Sequence, residues 1–384
     1  MNRQWRIRFA LVTAALVLIA PSLVNSAGAQ GAAGTSPIYI GQVVPETGVG
    51  AETGVFQLNG AKLAISQINA HGGINGRPLK LEVQDDQTTN AGAVAAFQRL
   101  TQSGNVTAII GPIRSTEVQA LTPYIERAQL PVIMGGTAPA LTHEGDPWVF
   151  RTRPNDSYSA RALATFVVKT LHLNKIAVIH SSDAFGEGAN TSVLAALKSL
   201  GVTPVTDQSY NNHDADLTPQ ALRIKKSGAQ ALISYVTFDE DGVVLARQMH
   251  QLGVHVTWAG SPSLTTVTSR RLGRELLYGT YGVTDFALGQ NAASVAFDKV
   301  YRAKYHAPAD LYAGYVYDGV NILAIAMRKN GTAPNAIRSG ILAIKGYQGV
   351  EGTYNFDKNG DGLHQYTVVQ NIKGVIRVIK VLTF

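Results

Sequence analysis

The sequence predicts an α/β protein with two lobes, each built around a doubly wound, mainly parallel sheet. Short apolar runs of strand length alternate with segments of about 10–15 residues in which apolar residues recur at helical spacing. This alternation stops near residues 153–156 and then starts again on the same plan. The 38 glycines follow no strict period, which excludes collagen and favours tight turns between strands and helices.

The first lobe is predicted from seven consecutive segments. Apolar runs predict strands over residues 38–44, 79–83, 106–110 and 131–134. Helical spacing predicts helices over residues 56–69, 91–102 and 116–128. Because the strands are continuously apolar rather than alternating, they are typical of a parallel sheet that is covered on both faces.

The second lobe repeats this order. Strands are predicted over residues 176–180, 231–236 and 256–259, and helices over residues 159–171, 192–200 and 243–252. Residues 291–305 and 312–328 are again predicted to be helices, and residues 354–384 to be rich in strands. Strands that alternate with helices in this way indicate βαβ units in both lobes.

The N-terminus has the features of a secretory signal peptide. Arg3, Arg6 and Arg8 precede an apolar run over residues 9–20, and small residues surround Gly28. The run is shorter than the roughly 20 residues of a membrane span, although an uncleaved anchor is the alternative. We predict a signal peptide over residues 1–29, a linker over residues 30–37, and export of the mature chain.

Composition excludes several classes of protein. The chain has no cysteine, so disulfide scaffolds, cysteine-based metal sites, thiol nucleophiles and lipid-modified cysteine anchors are excluded. Loss of the three arginines in the signal peptide lowers the net charge from +7 to +4. A small charge without a basic cluster argues against nucleic-acid binding.

Two motifs imitate known sites without completing them. Gly48, Gly50 and Gly54 follow a strand, but their spacing misses the dinucleotide fingerprint by one residue. We interpret them as a flexible loop at the end of the first strand, where ligands of open parallel sheets bind. Residues 357–362 resemble the start of a calcium loop, but the twelfth position is Val368 instead of glutamate. A β-turn is the favoured interpretation.

No catalytic motif is present. The sequence contains no nucleophile elbow, no zinc-protease motif and no P-loop. The nine histidines are scattered, and the closest pair, His250 and His255, has the wrong spacing for one helical face. The sequence therefore predicts neither an enzyme nor a metal or cofactor site.

Two strand-to-helix junctions have the residues of an anion site. Residues 110–116 and 134–139 each combine glycine, a hydroxyl side chain and backbone N–H groups where a strand ends and a helix begins. Helix N-termini attract carboxylates through unpaired donors and the helix dipole. Ser115 or Thr116 is expected to cap its helix. Ordinary helix caps are the alternative interpretation of both segments.

Several motifs match one family. The segment 68–79 reads Ile-Asn-Ala-x-Gly-Gly-Ile-Asn-Gly-Arg-Pro-Leu and is followed by Asp85 and Asp86. Further matching residues are Gly111, Ser115, Gly135, Gly136, Thr137, Ala138, Pro139, Phe185, Gly186, Glu187, Gly188, Gly260, Ser261, Pro262, Tyr312, Ala313, Tyr315, Tyr317 and Asp318. From residue 38 to the C-terminus, the chain resembles the leucine/isoleucine/valine-binding proteins of ABC transporters.

The resemblance implies a type I periplasmic binding protein, whose two lobes are joined by a three-segment hinge. We expect residues 38–154 with 286–362 to form one lobe, and residues 155–285 with 363–384 to form the other. Bending is expected near residues 153–156, 283–286 and 362–365. The resemblance also implies a monomer in the periplasm that binds no cofactor and closes around a small ligand for a membrane permease.

By the same resemblance, the hydroxyls of Ser115 and Thr137, with backbone N–H groups near Gly135, hold a ligand carboxylate. The residues expected near the cleft are Thr53, Ile113, Arg114, Ser115, Gly135, Gly136, Thr137, Phe185, Phe238, Pro262 and Tyr312. Phe185 and Phe238 would come from the second lobe. A one-residue shift of the alignment would replace Phe238 by Thr237.

Two departures from the family leave the ligand open. Pro262 stands where the branched-chain members have the glutamate that pairs with the ligand ammonium, and Thr53 stands where they have tyrosine. Asp239 or Glu240 is a possible replacement partner for an ammonium. An amino acid is the ligand that the family implies. The alternative is an aromatic or aliphatic acid without an amine, which Arg114 favours.

Two other functions are alternatives to that of a transport receptor. A ligand-sensing regulator could be built on the same fold, although the signal peptide and the lack of a fused signalling domain count against it. A secreted hydrolase would need a nucleophile–base pair that the sequence does not suggest.

Overall fold

The computed structural model describes residues 36–144 and 146–384. The predicted signal peptide and most of the predicted linker lie outside these residues. The first part of the chain forms β1 (Ile38–Val44), α1 (Ala51–Ala70), β2 (Leu79–Asp85), α2 (Asn90–Gln102), β3 (Val106–Ile110), α3 (Ser115–Ala128), β4 (Val132–Met134), α4 (Ala140–His143) and β5 (Val149–Arg151). These elements follow the predicted alternation of strands and helices.

The middle of the chain repeats the alternation. It forms α5 (Asp156–Thr165), β6 (Ile176–Ser181), α6 (Ala184–Ser199), β7 (Thr206–Tyr210), α7 (Thr218–Lys226), β8 (Ala231–Tyr235), α8 (Asp239–Gln251), β9 (Thr257–Gly260), α9 (Val267–Gly273) and β10 (Tyr281–Thr284). A π-helical turn, Phe166–Thr170, extends α5.

The last part of the chain returns to the first lobe and then ends in the second. It forms α10 (Ala292–Tyr305), α11 (Leu311–Asn330), α12 (Pro334–Leu342), β11 (Lys345–Gln348), β12 (Thr353–Asn355), β13 (Gln365–Ile372) and β14 (Val375–Thr383). The strands β11 and β12 pair with each other as a small antiparallel sheet.

Each lobe contains one twisted sheet. The first sheet has the order β2-β1-β3-β4-β5 and is parallel throughout. The second has the order β14-β13-β10-β9-β8-β6-β7. Its strands β6 to β10 are parallel, whereas β13 and β14 form an antiparallel hairpin on its edge. The second sheet is therefore mixed.

Both sheets are covered by helices on both faces, as expected for doubly wound lobes. In β1, Ile38 and Ile40 pack against α1 and α11, whereas Val43 packs on the opposite face against α2 and α3. Two further apolar cores cover the two faces of the second sheet, one with α5 and α6 and the other with α7 and α8. The period-2 alternation of side chains in a strand explains this division.

Eight elements were not predicted, because their residues are polar or few. The strand β7 reads Thr-Asp-Gln-Ser-Tyr and lies at the edge of its sheet, where only Tyr210 is buried. The others are α4, β5, α7, α9, β10, α12 and β11. Short or polar elements of this kind are set by tertiary pairing rather than by apolar periodicity.

The chain passes between the two lobes three times, between β5 and α5, between β10 and α10, and between β12 and β13. The assignment of residues 38–154 with 286–362 to one lobe remains our proposal, and it agrees with these passages. Among the residues described, no helix has the length and apolar composition of a membrane span.

A buried polar cluster joins two of the passages. The Asp361 carboxylate accepts hydrogen bonds from Arg151 Nε at 2.9 Å, Thr142 Oγ1 at 2.9 Å and Asn155 Nδ2 at 2.7 Å. Burial alone would raise the pKa of Asp361, but Arg151 and a hydrogen bond from His143 hold it well below its ordinary value. Residues 357–362 therefore form a structural turn. No group of three or more metal-ligating side chains occurs in residues 36–144 and 146–384.

Candidate ligand-binding cleft

A cavity of about 50 Å³ lies between the two lobes. Its walls come from the carboxyl ends of parallel strands in both sheets, where open α/β sheets bind ligands. It is lined by Thr53, Ile113, Arg114, Ser115, Thr137, Arg153, Phe185, Thr237, Pro262, Ser263 and Tyr312. A buried water needs roughly 10–15 Å³, so the cavity has room for a few groups of that size.

Ser115 connects the two strand-to-helix junctions of the first lobe. Its Oγ accepts hydrogen bonds from the backbone N–H groups of Thr137 and Ala138, both at 3.2 Å. The prediction that a hydroxyl caps α3 is wrong, because the N-cap residue is Arg114 and its side chain makes no capping hydrogen bond. The Ser115 hydroxyl instead holds the loop after β4 against the start of α3.

Arg114 extends from the first lobe to the second. Its guanidinium lies 3.3 Å from Glu117 Oε1 and stacks 4.8 Å from the ring centroid of Phe238. Only 11% of its side chain is exposed. Arg114 therefore brings a positive charge to the cavity wall while it contacts an aromatic ring across the cleft.

The charge of Arg114 is only partly balanced by its neighbours. Burial raises the pKa of Glu117 to about 8, against the opposing effect of Arg114, and a nearby carboxyl, Asp86, raises it further. Burial likewise raises the pKa of Asp86 to about 6. Among the described residues, the Arg114 side chain makes one hydrogen bond, to Glu117, so its other N–H groups are available for a ligand anion.

Three predicted residues lie behind the cavity wall. Phe238 packs between Arg114 and His213, whose ring centroid is 4.1 Å away, and its neighbour Thr237 lines the cavity. This corresponds to the one-residue shift considered from the sequence. Gly135 and Gly136 lie beneath Ile113 and Ser115: a Cβ on Gly135 would be 2.4 Å from Ile113 Cδ1, and one on Gly136 3.1 Å from Ser115 Cα. The glycines let these two loops pack closely.

Arg153 and Ser263 line the cavity but were missed in the sequence. The Arg153 guanidinium pairs with Asp285 and donates from Nη1 to the carbonyl of Gly135 at 3.1 Å. Burial alone would lower its pKa, but Asp285 raises it above its ordinary value. Arg153 follows β5, a strand of three residues. A prediction of β5 from the sequence would have indicated Arg153, because residues that follow the strands line the cleft.

The two acids considered as ammonium partners lie in different environments. Asp239 is 3% exposed, and its Oδ2 accepts from Thr266 Oγ1 at 2.6 Å. Its Oδ1 has no partner, and burial raises its pKa well above the ordinary value. Glu240 is exposed. Among the described residues that line the cavity, none is a carboxylate.

Comparison with known proteins gives the family. A family model for periplasmic binding proteins matches residues 37–374. The chain belongs to this family. Periplasmic binding proteins of this kind serve ABC transporters as substrate-binding proteins and are not enzymes. The fold is that of the type I members, with two α/β lobes.

Curated periplasmic relatives cover most of the chain. A leucine-, isoleucine-, valine-, threonine- and alanine-binding protein of Pseudomonas aeruginosa is 27% identical over 84% of this chain and 87% of its own length. A Leu/Ile/Val-binding protein of Rhizobium johnstonii is 28% identical over 78% of this chain and 81% of its own length.

Solved structures agree with the fold. A type 1 periplasmic binding protein of Bordetella pertussis superimposes with a TM-score of 0.82 at 28% identity, covering 89% of this chain and 99% of that one. A branched-chain amino acid binding protein of Streptococcus pneumoniae, in complex with isoleucine, has a TM-score of 0.84 at 22% identity and covers 91% of this chain and 100% of that one.

The lobes of this periplasmic binding protein contact each other around the cleft. Arg271 Nη2 lies 2.5 Å from Glu52 Oε2, and the Val267 N–H donates to Asp310 Oδ2 at 2.8 Å. A Cβ on Gly188 would be 3.4 Å from the Cβ of Ala138 in the other lobe. The structure therefore corresponds to a closed arrangement of the lobes.

Proposed function

We propose that this chain is the solute receptor of an ABC importer, that it binds a small carboxylate-bearing molecule between its lobes, and that it presents the closed form to a membrane permease. The observation that supports this most directly is the composition of the cavity wall. Ser115, Thr137 and Arg114 offer two hydroxyls and a guanidinium, and the lining residues include no acid. Such a wall attracts an anion and gives it hydrogen-bond donors.

Thr137 and Ser115 are proposed to bind the ligand carboxylate, with Arg114 adjacent. Ile113, Phe185 and Tyr312 would contact the apolar part of the ligand, and Thr53, Thr237 and Ser263 would complete the wall. Small-molecule sites generally combine apolar walls with a few polar groups that fix orientation.

An amino acid is the first candidate ligand. The names of the two relatives from Pseudomonas aeruginosa and Rhizobium johnstonii include leucine, isoleucine and valine as ligands of those proteins. In this chain, the unpartnered Oδ1 of Asp239 is the group we propose for the ammonium. Its other oxygen accepts from Thr266, which lies three residues after Ser263 of the cavity wall. An ammonium at this point would stabilise the ionised carboxylate, which burial otherwise disfavours.

A carboxylic acid without an amine is the second candidate. Pro262 supplies neither an N–H nor a side-chain acceptor at the wall of the second lobe. Arg114 and Arg153 add positive charge to the same cavity. A buried ammonium without a partner would cost several kcal/mol, whereas a plain acid avoids this cost.

A thermal-shift screen over amino acids and over aromatic and aliphatic acids tests the receptor role, because a ligand of the folded state raises the melting temperature. The two ligand classes are then separated with Asp239→Asn. If the ligand is an amino acid, this variant weakens its binding about tenfold or more. If the ligand is a plain acid, the affinity is unchanged and leucine does not compete.

Glu240→Gln is the matched control, since Glu240 is the exposed neighbour of Asp239. An equal loss of affinity in both variants would contradict the assignment of the ammonium to Asp239. A screen in which no acid and no amino acid stabilises the protein would contradict the proposed function.

A further inference from the structure

A second cavity between the lobes is larger than the ligand cleft. It has a volume of about 240 Å³ and lies beside the passage from β10 to α10. The first lobe supplies α10 and the residues that lead into α11, and the second lobe supplies the start of α9 and the β13–β14 turn. One molecule in this cavity would therefore contact both lobes.

Two arginines from different lobes face this cavity. Arg270 belongs to α9, and its Nε and Nη1 donate to the carbonyls of Thr265, Thr266 and Gly374. Arg302 belongs to α10, and its Nε donates to Asp298 Oδ2 at 2.5 Å. Arg270 Nη2 and both terminal nitrogens of Arg302 have no protein acceptor among the described residues. These N–H groups remain for a ligand.

The two carboxylates of the cavity already have donors of their own. Asp310 accepts from the backbone N–H groups of Val267 and Tyr312, at 2.8 and 2.9 Å. Asp298 Oδ1 accepts from the N–H of Ala309 at 2.8 Å. Asp298 and Asp310 balance the charge of the two arginines, but all four of their oxygens already accept a hydrogen bond, whereas three terminal nitrogens of the arginines have no acceptor in the part of the chain that the structure describes.

Most of the remaining wall is apolar, although Thr265, Thr266 and Thr284 also line it. Leu288 and Val375, at its edge, are 50% and 57% exposed, and Phe286, Pro308 and Leu311 lie deeper. A wall of this kind fits an apolar body, and guanidinium groups in pairs bind carboxylates with directional hydrogen bonds. The observations thus call for one ligand that has both an anionic and an apolar end.

We propose that this cavity is a second ligand site, which binds a small organic carboxylate through Arg270 and Arg302. The apolar part of the ligand packs against Leu288, Val375 and Phe286. The site is separate from the ligand cleft, because the two cavities share no lining residue among those that the structure describes.

The probe for a direct test is 4-bromobenzoate, whose bromine is located by anomalous scattering in crystals grown with it. The expected result is a bromine peak between Arg270 and Arg302, whether or not a second peak occupies the ligand cleft. A peak in the cleft alone, or no peak at all at saturating probe, would overturn the proposal.

Calorimetric titration with the same probe tests the residues. Arg302→Gln should weaken binding at this site about tenfold or more, and Val375→Glu, an exposed position, should weaken it by charge repulsion. Arg99→Gln, on the exposed face of α2, should have no effect. Unchanged titrations in Arg302→Gln and Val375→Glu, with both variants folded by thermal unfolding, would refute the site. Because neither Arg302 nor Val375 lines the ligand cleft, a change that these variants cause in the titration reports the second site even if the probe also binds in the cleft.

Discussion

Ser115 and Thr137 have different supporting contacts, although both residues line the ligand cleft. The Ser115 Oγ is the acceptor for two backbone N–H groups. The Thr137 carbonyl accepts from the N–H of Asp156 at the start of the second lobe. Ser115 therefore has a structural role in addition to its proposed contact with the ligand.

We predict that Ser115→Ala and Thr137→Ala each weaken ligand binding about tenfold or more, because each removes a hydrogen bond to a charged group. Ser115→Ala should in addition lower the free energy of unfolding by about 1–3 kcal/mol, since two buried N–H groups lose their acceptor. Calorimetry and urea unfolding measure the two effects. The control is Ser103→Ala, at an exposed position of the first lobe that does not line the ligand cleft. Unchanged affinity in both cleft variants would refute the carboxylate site.

Glu117 should make stability depend on pH. Burial raises its pKa to about 8 in the folded protein, with an ordinary value of 4.5. Between about pH 4.5 and pH 8, the folded state therefore holds a proton on Glu117 that the unfolded state has released. The stabilisation that this proton gives to the folded state is complete below about pH 4.5 and is lost as pH rises to about 8.

We predict that Glu117→Gln, which stays uncharged, reduces the fall in the free energy of unfolding between pH 5 and pH 8. Urea unfolding at several pH values measures this slope. The control is Glu126→Gln, at an exposed position on the same helix, α3. Equal slopes in wild type and Glu117→Gln would show that Glu117 is ionised in the folded protein.

At the scale of elements, the polar cluster around Asp361 anchors two of the three hinge passages. Arg151 lies at the end of β5 and is fully buried, and Asp361 lies in the segment between β12 and β13. Their ion pair thus joins segments that are distant in sequence, at the point where the chain leaves the first lobe.

We predict that Asp361→Asn lowers the free energy of unfolding by about 3–5 kcal/mol, because it leaves the buried Arg151 charge without its carboxylate. Replacing both partners, as Arg151→Met with Asp361→Leu, should cost less than the single change. In the wild type, the stabilisation by the Arg151–Asp361 ion pair is present above the ordinary aspartate pKa of 3.8 and is lost as pH falls below it. Denaturant unfolding of the wild type and both variants measures these effects, and a double variant that is less stable than the single one would contradict this account.

For the whole molecule, the closed arrangement depends on contacts at the rim of the cleft. The Glu52–Arg271 pair joins the lobes, and both side chains are partly exposed. Exposed pairs contribute little, typically 0.2–1 kcal/mol, so closure is expected to be reversible and to depend on the ligand.

We predict that Glu52→Arg weakens ligand binding about two- to fivefold by repulsion across the cleft, without a change in the cavity wall. Small-angle scattering should show a more open molecule than the ligand-bound wild type. The charge swap, Glu52→Arg with Arg271→Glu, should restore affinity. Identical scattering curves for wild type with and without saturating ligand would contradict closure.

The order of strands and helices was determined by the sequence alone. Buried strands such as β3 and helices such as α2 differ from their predicted bounds by one residue or less, because apolar periodicity over a segment reflects which face is buried. The short β5 and the polar β7 carry no such signal. Their residues become strands because neighbouring strands supply hydrogen-bond partners.

The sequence also determined which junctions border the cleft, since the carboxyl ends of parallel strands meet at one edge of a sheet. Only the tertiary structure decided which side chains reach the cavity. Thr237 lines it while Phe238 turns to Arg114 and His213, and Arg153 reaches it through its pair with Asp285. These choices depend on contacts between residues far apart in the chain and in different lobes, and local periodicity contains no information about such contacts.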